Sequence, residues 1–154
     1  IVLFWLEDTW GPLGADLLGT APDGRPLDAV RAAHDMTGGR LAVASGADRG
    51  KVLLQLAKVG LAEWFGAQVF SGHDLPRSKP FPDVYLAAAQ SLGVAPARCL
   101  VIEDTPTGIE AGVAAGATVW AYCPQAEQAN TLRAAGAHEV FASMAELPAR
   151  WAMR

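Results

Sequence analysis

Cys99-Leu-Val-Ile-Glu-Asp-Thr-Pro-Thr-Gly-Ile-Glu-Ala-Gly112 is an apolar run that stops on two adjacent carboxylates and turns at once into a glycine-bearing helix start. A strand buried on both faces reads as a continuous apolar run. In an open parallel sheet, ligands gather outside the carboxyl ends of the strands. Two acids placed there are costly unless a cation or a basic group neutralises them. The stretch therefore predicts an α/β sheet with Glu103 and Asp104 at its mouth, and a Mg²⁺ site is the economical reading of the pair. The competing reading is an acid pair favoured by the dipole of the helix that follows.

Outward from this stretch, apolar runs alternate with helical patterns. Residues 1–6, 40–45, 67–70, 99–103, 117–122 and 139–141 read as strands, and apolar residues at three- and four-residue steps predict helices over 27–36, 49–59, 82–92, 106–115, 127–135 and 144–153. Gly60, Gly93, Gly116 and Gly136 each fall just after a helical pattern, as helix-ending glycines do. Asp48 and Thr105 stand where N-caps belong, and Pro106 suits a first helical turn. Alternation of this kind predicts a Rossmann-like three-layer sandwich, a parallel sheet of five or six strands covered on both faces. The length fits a single domain over 1–154, with one long irregular stretch, the Gly- and Pro-rich segment 11–26.

Composition narrows the partners. Twelve basic against 16 acidic residues give a net charge of −4 with no basic run, which argues against nucleic acid and anionic membrane surfaces. No apolar stretch approaches the ~18 residues a membrane span needs, and no charged segment precedes Ile1 as in a secretory signal. The expectation is a cytoplasmic protein. Cys99 and Cys123 sit at apolar strand edges and read as small buried hydrophobes rather than a disulfide or metal pair.

The ends of four strands, taken together, carry the chemistry. The first strand runs into Glu7 and Asp8, the second ends on Ser45-Gly46, the third is followed by Ser78-Lys79-Pro80-Phe81-Pro82-Asp83, and the fourth ends on Glu103-Asp104. A hydroxyl, free backbone N–H groups at a helix start, a lysine and two carboxylates on one sheet edge are equipment for holding a phosphoryl group beside a divalent cation. Pro80 and Pro82 keep the backbone extended and aim the lysine. Asp83 reads as a helix cap in preference to a group that fixes Lys79. His73 and Asp74 read as solvated loop residues, and His34 and His138 as structural.

Ala-Ser at the end of the second strand, Lys-Pro-x-Pro-Asp before a helix, and Val-Ile-Glu-Asp-Thr-x-x-Gly together resemble the haloacid dehalogenase superfamily. The spacing is most similar to its β-phosphoglucomutase-like phosphatase branch, over residues 40–124 and in the family's order. The resemblance implies that Ser45 grips a phosphoryl oxygen, with Gly46 adding a backbone N–H. It implies that Lys79 neutralises nucleophile and phosphate together, that Asp104 ligates Mg²⁺, and that Glu103 holds the ion directly or through water. The implied function is Mg²⁺-dependent hydrolysis of a small phosphorylated metabolite, such as a sugar phosphate, through an aspartyl-phosphate.

The first motif departs from that pattern. Where the family places Asp-x-Asp-Gly-Thr, this chain has Trp5-Leu6-Glu7-Asp8-Thr9, so an indole stands at the nucleophile position and only the threonine is kept. An indole cannot attack phosphorus, which leaves Glu7 and Asp8 as the catalytic acids available. The segment 11–26 is also too short for the helical cap that the branch inserts between its first two motifs, so a core without a cap is expected. The alternative function is an inactive core that binds a phospho-ligand or a protein, or serves as a scaffold. A homodimer covering the open face remains among the expected partners.

Overall fold

The computed structural model describes residues 2–4 and 26–153, with side chains from residue 27 onward. Among the described residues there are six strands: β1 (Val2–Phe4), β2 (Leu41–Ser45), β3 (Val69–Ser71), β4 (Leu100–Glu103), β5 (Thr118–Tyr122) and β6 (Glu139–Phe141). They form one sheet in the order β3-β2-β1-β4-β5-β6 with every pairing parallel. All carboxyl ends therefore share one edge, and the chain reverses its winding direction about the central strand β1, where such sheets bind ligands.

The helices are α1 (Pro26–Thr37), α2 (Arg49–Lys58), α3 (Ala62–Phe65), α4 (Asp83–Ser91), α5 (Pro106–Ala114), α6 (Ala129–Ala134) and α7 (Leu147–Ala152). Side chains alternate across a strand, and the core divides accordingly. Leu41, Val43, Leu100, Ile102 and Trp120 pack under α1, α2, α3 and α7. Ala42, Ala44, Val101, Val119 and Ala121 pack under α4, α5 and α6. The second face is lined largely by small residues, so its helices can approach closely.

Local chemistry explains most boundaries. Asp48 caps α2 by accepting from the N–H groups of Gly50 and Lys51 at 2.9 and 3.3 Å. Thr105 caps α5 by accepting from Gly108 N–H at 3.2 Å, with Pro106 in the first turn. The φ angles of Gly60, Gly93, Gly116 and Gly136 are positive, the left-handed geometry of a helix end that only glycine takes without strain. Helix α1 begins at Pro26, inside the stretch expected to be irregular; residues 5–25, which hold the rest of that stretch with Trp5, Glu7 and Asp8, lie outside the described residues.

One short helix went unread and one expectation needs correction. Helix α3 is too short for a 3.6-residue period to register, yet it buries Phe65 and ends at Gly66 with a φ of 53°. Asp83 does not cap α4, whose N-cap is Pro82. Its carboxylate accepts instead from Arg77 Nη2 at 2.7 Å and Nε at 3.3 Å, and the same guanidinium lies over the Phe81 ring, 4.6 Å from its centroid.

Candidate functional site

Glu103 is the last residue of β4 and its side chain is fully buried. A carboxylate in that position is tolerable only if every lone pair finds a donor. Oε1 accepts from Lys79 Nζ at 2.5 Å and from the Tyr85 hydroxyl at 2.8 Å. Oε2 accepts from the backbone N–H groups of Asp104 and Thr105 at 2.9 and 3.0 Å, and from the Thr105 hydroxyl at 3.0 Å. The carboxylate thus ties down the two residues that lead into α5, where its charge also faces the positive end of the helix dipole. It fits there because position 108 is glycine; a Cβ at Gly108 would overlap the carboxyl carbon and both oxygens.

Lys79 reaches this acid from the loop after β3, and its side chain is only 4% exposed. Its ammonium also donates to the Ala44 carbonyl at 3.4 Å and lies 5.1 Å from the centroid of the Tyr85 ring. The Lys79-Pro80 peptide bond is cis. Along the ladder Phe4 pairs with Val43 on one side and with Ile102 on the other, so Ala44 and Glu103 each lie one residue beyond the described end of β1. The lysine therefore spans the carboxyl edge on both sides of the central strand. Removing either member of such a buried pair costs about 3–5 kcal/mol, because the other charge is left uncompensated.

Ser45 ends β2 and is fully buried; its Oγ accepts from Ala47 N–H at 3.0 Å. That turn is fixed a second time by Ser71, whose hydroxyl donates to the Ala47 carbonyl at 2.7 Å and accepts from His73 N–H at 3.1 Å. Gly46 follows, half-buried, in the same turn, and Asp104 is half-buried between β4 and α5. The structure thus brings Ser45, Gly46, Lys79, Glu103 and Asp104 to one edge of the sheet. Among the described residues no group of three or more His, Cys, Asp or Glu side chains could hold a metal ion.

The other candidates take structural places. His73 and Asp74 are exposed, the ring of His34 packs edge-on against Trp64, and His138 Nδ1 accepts from Val119 N–H at 3.0 Å. Both cysteines are free and buried. Burial pushes the Cys99 thiol above its ordinary range, away from the reactive thiolate. Sequence reasoning missed Tyr85, and it read Thr105 as a cap without the hydroxyl's second bond to Glu103. A clue to Tyr85 was available: a tyrosine on the buried side of an Ala-rich helix needs a partner for its hydroxyl.

In a parallel sheet of this order ligands gather at the carboxyl edge, where this chain places a hydroxyl, a buried lysine and an acid pair. The chain belongs to the haloacid dehalogenase-like hydrolase family, whose model matches residues 10–116. It is 39% identical over 92 residues to the fructose-1-phosphate phosphatase YqaB of Escherichia coli (strain K12), covering 59% of this chain and 48% of that protein. It is 27% identical over 114 residues to the 6-phosphogluconate phosphatase of the same organism, covering 74% of this chain and 51% of that one. Among solved structures, a HAD family hydrolase from Deinococcus radiodurans R1 with bound phosphate and sodium matches with a TM-score of 0.72 and 39% identity, covering 82% of this chain and 57% of that one. The chain spans about half the length of these curated relatives. Among the described residues no helix is long and apolar enough to cross a membrane.

Proposed function

We propose that the carboxyl edge of this sheet binds a small phosphomonoester of the phosphorylated-sugar class beside Mg²⁺ and promotes its hydrolysis. One observation carries the reading: a lysine ammonium, 4% exposed, is fixed between Ala44 at the end of β2 and Glu103 at the end of β4. A buried cation held in place without its usual hydration attracts a phosphoryl group more strongly than a solvated one. The substrate class is supported by the names of the two phosphatases above, and the anion by the phosphate in the Deinococcus structure.

The residues divide the work. Ser45 and the Gly46 backbone hold a phosphoryl oxygen, and Lys79 carries the charge that offsets the phosphate. Glu103 has five donors on two oxygens, which suits it to hold Lys79 rather than an ion. Asp104 is then the carboxylate for the metal. One aspartate fits Mg²⁺, which keeps several waters and takes one or two carboxylates together with substrate phosphate oxygens. When bound, the ion supplies further charge stabilisation to the phosphoryl oxygens.

Transfer through an aspartyl-phosphate needs a carboxylate where Trp5 stands, and that substitution favours a second reading, a core that binds the phosphorylated ligand without turning it over. The test is Mg²⁺-dependent turnover of p-nitrophenyl phosphate by this chain and by a version carrying Trp5→Asp, Glu7→Asp and Asp8→Gly. Turnover by the unaltered chain that Asp104→Asn abolishes supports hydrolysis with Glu7 or Asp8 as the working acid. Turnover by the altered chain alone supports the binding-only reading. Silence from both, with no retention of inorganic phosphate, refutes the site.

A further inference from the structure

We infer that Tyr85 is a positioning residue whose hydroxyl keeps the Glu103 carboxylate satisfied while Lys79 turns toward a phosphoryl group. The inference rests on the proposal that Lys79 faces phosphate. Lys79 and Tyr85 donate to the same oxygen, Oε1, at 2.5 and 2.8 Å. Tyr85 is 1% exposed, so bulk water does not replace its hydroxyl. The three donors on Oε2 come from Asp104 and Thr105, beside the start of α5, and cannot serve Oε1. With lysine as its only partner, Oε1 would hold the ammonium against any approaching anion, because lending it out would strand a buried acceptor. With the tyrosine in place, the oxygen keeps one bond when the ammonium shares its charge with an anion. The ring of Tyr85, 5.1 Å from the ammonium, adds a face over which the cation can shift.

Tyr85→Phe tests this, since it removes the hydroxyl and leaves the ring. The first readout is inorganic phosphate affinity, measured by titration of the whole chain. A bond to a charged acceptor is worth roughly 1.5–3 kcal/mol, so phosphate should bind about ten-fold more weakly or worse. Unchanged affinity in a variant whose circular dichroism matches the parent overturns the inference. The second readout needs no ligand. The ¹⁵Nζ resonance of Lys79 should move on Tyr85→Phe while those of Lys51 and Lys58 stay. An unmoved Lys79 resonance overturns the inference whether or not phosphate binds. If the parent chain binds no phosphate, the functional proposal fails separately, and the resonance alone decides whether Tyr85 governs Lys79.

Discussion

Gly108→Ala puts helix propensity and site geometry in direct opposition. Gly108 is the third residue of α5, where exchanging glycine for alanine should by itself stabilise the helix by about 0.5–1 kcal/mol. The structure predicts the reverse sign. The new methyl would occupy the space of the Glu103 carboxyl carbon and both oxygens, so the carboxylate or the first turn of α5 must move. Moving the carboxylate weakens its bonds to Lys79 and Tyr85, each worth roughly 1.5–3 kcal/mol. Moving the helix incurs an overpacking cost of about 1–3 kcal/mol. After the propensity gain, the net loss should be about 2–5 kcal/mol if the carboxylate moves and about 0–2 kcal/mol if the helix does, read as a lower urea midpoint at unchanged slope. In the first case the thermal midpoint should fall by roughly 5–15 °C. Gly112→Ala is the control in the same helix: its Cβ would lie 2.7 Å from Val119 Cγ2, so it should strain the packing and leave phosphate affinity unchanged. Gly108→Ala should lower both. A Gly108→Ala variant as stable as the parent, with undiminished phosphate affinity, would show that Glu103 is not seated against this helix.

Three further outcomes are expected. Lys79→Met should cost about 3–5 kcal/mol in urea unfolding by stranding a buried carboxylate, and adding Glu103→Gln should recover much of the loss. Asp48→Ala, which removes the cap of α2, should cost about 1 kcal/mol, whereas Asp48→Asn should be close to neutral. Hydrogen bonding to Arg150, with smaller help from the Ser143 and Ala142 N–H groups, holds the Glu146 carboxyl below its ordinary value of 4.5. Its stabilising contribution is present above that value and is lost as the pH falls through the lowered one, so Glu146→Gln should flatten the acid limb of the thermal midpoint's pH dependence.

The fold was legible because its signals are local. Apolar runs mark the strands, Asp48 and Thr105 mark helix starts, and glycines mark helix ends, each readable within a few residues. The acid pair and Lys79 were legible as belonging to one edge, since parallel strands deliver their carboxyl ends together. What Glu103 touches was not legible. Its partners come from a loop, from α4 and from the two residues before α5, and neither spacing nor periodicity says which of two neighbouring acids turns into the protein. Asp83 was misread for a related reason. Its position suited a cap, and the cation that claims it, Arg77, stands six residues earlier with nothing in the pattern to pair them.

The span between Lys79 and Glu103 also bears on how the chain comes off a ribosome. β3 stands at one end of the strand order and β4 three places away, so the loop carrying the lysine must cross roughly 14 Å of sheet to reach its acid. During synthesis the lysine emerges well before the strand that ends in Glu103 and stays hydrated until that strand docks. Only the addition of β4 brings the charges together and strips them of water.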